Sequence, residues 1–180
     1  MASRLRNTEI ALEPGLLRMT HAFAIPRALA WLAWIEPVHL ARWWGPAGLP
    51  VPECTIDARP GGAFSIVLQG LDGQAYPTRG EFRELVPGER LVLSQDWSGL
   101  PADWQKLLDD LYEGPGRAAR EVALSVDFDE ADGRTLQRWA MDFNGDDALR
   151  DALLRMGLAE GWTKCFERLE ELLAGMAATS

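Results

Sequence analysis

The stretch "LAEGWTKCFERLEELLAGM", residues 158–176, sets apolar side chains at Leu158, Trp162, Cys165/Phe166, Leu169, Leu172/Leu173 and Met176. Steps of three and four residues put these on one face of a helix, with Lys164, Glu167, Arg168, Glu170 and Glu171 on the other. The residues before it, "DDALRDALLRMG" (146–157), continue the helical pattern, so one long one-faced helix is expected at the C-terminus. A stripe this wide needs an apolar surface to cover it.

That surface is legible upstream. From residue 51 the chain runs through β-branched and aromatic segments, "PECTIDA", "GAFSIVLQG", "YPTRGEFREL", "RLVLSQDW", "REVALSVDFD" and "RTLQRWAMDF". Pro60-Gly61-Gly62, Asp72-Gly73, Pro87-Gly88 and Asp132-Gly133 supply the backbone conformations of tight connections between them. Strands joined this way form an antiparallel meander. An earlier strand, "GLLRMTHAFAI" (15–25), places Leu17, Met19, His21 and Phe23 on one face. Two short helices come next: "RALAWLAWIE" after Pro26, with Leu29, Leu32 and Ile35 at helical spacing, and "VHLARWW" after Pro37, ending at Gly45-Pro46. The expected fold is α+β: a curved antiparallel sheet of about six or seven strands wrapped on the long C-terminal helix, as one domain over residues 1–180.

One segment interrupts the meander. In "SGLPADWQKLLDDLYEGPGRAAR" (98–120), Asp103 is read as an N-cap, and Trp104, Leu107, Leu108 and Leu111 form an amphipathic stripe that Gly114-Pro115-Gly116 ends. A lid over an apolar site and a homodimer interface are both consistent with it.

With 47% apolar and 25% charged residues, the composition is that of a globular protein. A formal charge of −9 disfavours nucleic acid as a partner, since phosphate binding rests on Lys and Arg. No stretch has the apolar length of a bilayer span or the layout of a secretory signal, so a cytoplasmic protein without membrane contact is expected. Cys54, Cys165, His21 and His39 form no close-spaced ligand pair, which argues for reduced, buried cysteines and against a metal or cofactor. No nucleophile–base arrangement is visible either, and His39 reads as a surface or capping residue. Asp57 and Arg59 share a strand face and are expected to pair and hold their hairpin.

At residue level the chain resembles the family related to the C-terminal domain of the activator of heat-shock protein 90 ATPase, a branch of the START and birch-pollen-allergen helix-grip superfamily. The resemblance is carried by "IPRALAW" (25–31), "EPVHLARWWGP" (36–46), "DARPGGAF" (57–64), "DGQ" (72–74), "RGEFRELVPGERLVLS" (79–94), "GRTLQ" (133–137) and "EGWTKCFERLEELL" (160–173). It departs at His21, where the family usually has Arg, and in the long 98–120 segment.

The resemblance implies a hydrophobic cavity between sheet and helix. Its candidate lining is Phe64, Ile66, Phe82, Leu93, Trp139 and Met141 from the strands and Trp162 and Phe166 from the helix, with Trp97 and Trp104 at the mouth. Trp44 reads either as packing, with Trp31, Trp34 and Trp43, or as a cavity wall. His21 reads as a core histidine or a polar cavity group. The leading expectation is non-catalytic binding of a small hydrophobic molecule. Chaperone interaction is second, because the large partner-contacting domain that precedes this one in the activator is not in the sequence. A cyclase- or aromatase-type enzyme using His21, Gln95 or Asp96 is third.

Overall fold

The computed structural model describes residues 2–5, 8–45 and 48–178; Pro46, expected to take part in the stop of the second short helix, lies outside them. Strands β1 (Ala2–Leu5), β2 (Thr8–Glu13) and β3 (Leu16–Phe23) come first, and helices α1 (Arg27–Ile35) and α2 (Pro37–Trp43) come after them. The meander is β4 (Glu53–Ile56), β5 (Ala63–Gln69), β6 (Ala75–Val86), β7 (Arg90–Asp96), β8 (Glu121–Ala131) and β9 (Arg134–Asp142). Helix α3 (Ala102–Leu111) interrupts it between β7 and β8, and α4 (Asp147–Arg155) and α5 (Leu158–Ala178) close the described chain.

All strand pairs are antiparallel, in one sheet of order β1-β2-β3-β9-β8-β7-β6-β5-β4. β9 returns to pair with β3, which brings the two ends of the meander's span onto one surface around α5. Inward positions alternate along the strands, as with Val122, Leu124, Val126 and Phe128 on β8. The opposite face carries cross-strand ion pairs: Arg90 Nη1 donates to Asp127 Oδ1 at 2.6 Å, and Arg138 reaches Asp129. α5 buries Trp162, Cys165, Phe166, Leu169, Leu172 and Leu173 against the sheet's inner face, as its stripe requires.

The helix-grip architecture matches the expectation, with four differences of detail. The described sheet has nine strands rather than six or seven, because "TEIALE" and the residues before it form a hairpin extending β3. The helix expected from residue 146 breaks in two at Gly157, whose φ of +88° is a left-handed conformation that favours glycine. α1 buries Ala30, Ala33 and Trp34, while Leu32 of the expected stripe faces solvent. The N-cap of α3 is Pro101, and Asp103 lies in the first turn, where its charge complements the helix dipole.

Three local arrangements hold neighbouring elements together. Arg168 on α5 donates from Nη1 to the Gly45 carbonyl at 2.7 Å and from Nη2 to the Arg42 carbonyl at 2.7 Å, so α5 satisfies the C-terminal carbonyls of α2. Arg59 Nε lies 2.9 Å from Asp57 Oδ2, holding the β4–β5 connection as expected. Beside it, Gly80 permits a close approach of β6 to β7. A Cβ there would overlap the Ser94 carbonyl oxygen and sit 2.7 Å from Cε1 of Phe64. Gly80→Ala is therefore expected to destabilise the fold by about 1–3 kcal/mol, the usual cost of overpacking, read as a lowered denaturant midpoint.

Candidate functional site

The site begins with strand parity. Phe64, Ile66 and Leu68 point inward from β5, Thr78, Gly80 and Phe82 lie on the same face of β6, and Leu91, Leu93 and Gln95 on that of β7, continued by Trp97. At one end of this face the side chains are large and fully packed: Phe64 and Phe82 stand 6.3 Å apart, with Leu93 opposite Phe82. Toward the other end come Thr78 and the polar Gln95, and the packing opens. A cavity of about 280 Å³ is left there.

Its floor is Leu68, Thr78, Gln95 and Trp97 from the sheet. Leu158, Gly161, Trp162 and Cys165 of α5 form one side, and Trp44 and Gly45 after α2 another. Leu153 of α4 and Trp104 of α3 complete it, with Trp104 and Trp97 in edge contact at 6.1 Å. Gly45 has a φ of +82°, and a Cβ on it would meet Leu68 Cδ2 at 2.5 Å, so the wall there is formed by bare backbone.

Of the residues expected to line a cavity, the structure brings Trp44, Gln95, Trp97, Trp104 and Trp162 together around this one. Phe64, Ile66, Phe82, Leu93, Trp139, Met141 and Phe166 face the same interior but are spent as solid core. Trp139 fills the middle of the grip, 4.8 Å from Trp162 and 6.3 Å from Phe166, which confines the open space to the N-terminal half of α5. Sequence reasoning missed Gly45, Leu68, Thr78, Leu153, Leu158, Gly161 and Cys165. Leu68 and Thr78 were accessible by extending the inward parity two residues past Ile66 on β5 and four residues back from Phe82 on β6.

His21 lies in the core, away from the cavity. Its Nδ1 is 2.9 Å from the Thr8 hydroxyl and its ring centroid 4.6 Å from that of Phe23. The Glu170 carboxylate stands 3.5 Å from Nε2. Burial lowers the His21 pKa below its ordinary value; the nearby Glu170 and Glu167 charges oppose this without overcoming it. Asp96 caps its own turn, accepting from the Ser98 backbone N–H at 2.8 Å.

The cavity's chemistry is nearly all apolar. Cys165 is its titratable side chain, and burial pushes that thiol up to about 11, as it does the Cys54 thiol, so neither is a thiolate at neutral pH. Gln95 is 2% exposed, and its Nε2 has no hydrogen-bond partner among the described residues. Gly161 faces open space: a Cβ added to it meets nothing within 4 Å. No group of three or more His, Cys, Asp or Glu side chains among the described residues could hold a metal ion. No described helix is long and apolar enough to cross a membrane.

The model of the activator of Hsp90 ATPase homolog 1-like protein family matches residues 24–174. The chain belongs to that family. A protein from Nitrosomonas europaea shares its fold with a TM-score of 0.74 at 24% identity, over 93% of this chain and 99% of that one. A Mycobacterium smegmatis protein gives 0.74 at 22% identity, over 98% of this chain and 99% of that one. One from Rhodobacter sphaeroides gives 0.75 at 21%, over 93% and 98%. At such identities the likeness establishes the fold of the family and nothing about a ligand. No curated protein matches the chain.

The buried histidine makes stability depend on pH. Its folded pKa lies below the unfolded value of 6.5, so the unfolded chain binds the proton more readily. The His21 contribution is therefore present above pH 6.5 and lost as pH falls through and below it. Denaturant titrations between about pH 7.5 and pH 5 should show the native protein losing stability more steeply than His21→Gln. Parallel slopes would contradict the assignment.

Proposed function

We propose that this chain is a cytoplasmic, non-catalytic binder of a small apolar molecule, held between β5–β7 and the N-terminal half of α5. The observation that carries the proposal is a partly open pocket of about 280 Å³ lined by four indoles, three leucines and, among the described residues, no charged side chain. That volume is near the lower end of the ~300–1,000 Å³ typical of small-molecule sites, which are likewise mostly apolar with a few polar groups. Gly161 adds support. It sits in the first turn of α5 and lines the cavity, and the room left by its missing side chain is open space.

Segment 98–120 serves as the lid in this reading. Trp104 reaches the cavity, Leu108 is fully buried, and Leu107 is the member of the stripe left exposed, at 47%. This supports a lid over a subunit interface, since most of the stripe is covered within the chain. The lid is fastened by polar contacts: Gln105 Nε2 donates to the Trp97 carbonyl at 2.5 Å, and Arg120 bonds both Gln105 Oε1 and Asp109.

An enzyme of cyclase type draws no support from the geometry, because His21 and Asp96 are not cavity residues and the Gln95 amide is neither acid nor base at neutral pH. The family description keeps an Hsp90-ATPase-activator-like role as the second reading. Gly161→Leu separates the two. The side chain enters open space, so the variant should fold at an unchanged or raised melting temperature while losing more than about tenfold in affinity for the neutral fluorophore N-phenylnaphthylamine. Unchanged probe affinity in the folded variant would remove the cavity reading.

A further inference from the structure

We infer that the molecule this cavity takes is a neutral carbonyl compound whose oxygen accepts a hydrogen bond from Gln95 Nε2. The inference rests on the apolar-binding reading and adds the chemistry of the ligand's polar end. Two independent features lead to it.

The first is an unmade hydrogen bond. Gln95 lies on the inward face of β7, is almost wholly excluded from solvent, and lines the cavity with its amide nitrogen unpartnered among the described residues. A primary amide nitrogen carries two N–H donors and no acceptor function, so the complementary group is an acceptor. Leaving such a donor unpaired in apolar surroundings costs roughly 1–3 kcal/mol; the nitrogen is closed off as it stands, and a small turn of the amide toward the cavity would let a ligand's carbonyl oxygen recover part of that cost.

The second is the absence of charge in the walls. No Lys, Arg, His, Asp or Glu among the described residues lines the cavity, and the whole chain carries a formal charge of −9. A carboxylate would surrender its hydration with no cationic side chain in the lining to pair with it. A ketone, aldehyde or ester makes the same hydrogen bond without that penalty. The indoles of Trp44, Trp97, Trp104 and Trp162 give flat apolar surfaces on which its remaining carbon skeleton packs.

The test uses three naphthalenes differing in one substituent: acetylnaphthalene, isopropenylnaphthalene, in which a CH₂ replaces the oxygen, and naphthoate. Binding to the native full chain is read by calorimetry and by tryptophan quenching. The ketone is expected to bind about tenfold more tightly than the alkene, the worth of one hydrogen bond in a dry site, and at least about tenfold more tightly than naphthoate. Gln95→Leu should reduce the ketone-to-alkene preference below about twofold while keeping alkene binding. Equal binding of ketone and alkene to the native protein overturns the inference and leaves the apolar cavity standing. Naphthoate binding as tightly as the ketone overturns the neutral class. If neither neutral compound binds, or if both still bind Gly161→Leu, the cavity reading falls and the inference with it. The native preference decides the matter even if Gln95→Leu does not fold.

Discussion

The indole of Trp162 is the contact on which the rest of the molecule converges. It stacks at 12° on Trp34 of α1, meets Trp44 edge-on at 5.0 Å, and lies 4.8 Å from Trp139 of β9 and 5.7 Å from Phe166 on its own helix. One side chain thereby ties α5 to α1, to the turn after α2 and to the strand that bridges both halves of the sheet. Aromatic pairs contribute about 0.5–1.5 kcal/mol each beyond the area they bury, so this junction is worth several such pairs. Polar groups hold its flanks: Trp43 Nε1 donates to the Ala33 carbonyl and Trp34 Nε1 to Gln137 Oε1, both at 2.8 Å. The adjacent Trp43 and Trp44 thus have separate tasks, the first fully buried structure, the second also a wall of the cavity.

Period and turn chemistry carried most of the fold. The alternation through Leu93, Gln95 and Trp97 and the 3.6-residue stripe of α5 dictate which faces meet, and both are written in the order of residue types. Gly157 is a possible stop in the sequence, yet a lone glycine in a helical pattern is often tolerated, and its positive φ goes with the tertiary packing of α4 against α3 and the sheet. The β1–β2 pair is short, and the "EPG" turn that joins β2 to β3 leads into a strand whose own pattern is stronger, so β3 dominates the reading of this end of the chain.

The cavity was less legible because a sequence tells which side chains face inward and not how much of the interior they fill. Phe64, Phe82 and Trp139 were placed on the correct face, but the space is a difference between the volume enclosed and the volume of the side chains. That difference depends on how α5 is set against the sheet, hence on Arg168 reaching the carbonyls of Arg42 and Gly45. Small residues at Thr78 and Gly161 on facing elements keep it open, and their meeting across the interior is a matter of register that neither strand parity nor helix period records.

Stability and access are therefore assigned to different chemistry. The aromatic junction is tightly packed, and loosening it would cost packing in several elements at once. The α3 cover is fastened instead by Gln105, Arg120 and Asp109, polar groups at or near the surface, where bonds to water replace bonds to protein at a modest net cost of about 0.5–1.5 kcal/mol each. Trp104 and Leu108 resist opening, but Leu107 already faces solvent, so lifting α3 exposes less new apolar surface than its stripe suggests. A fold that anchors its interior with indoles and its cover with hydrogen bonds can admit a molecule beside Trp44 without disturbing the contacts that Trp162 makes with Trp34 and Trp139.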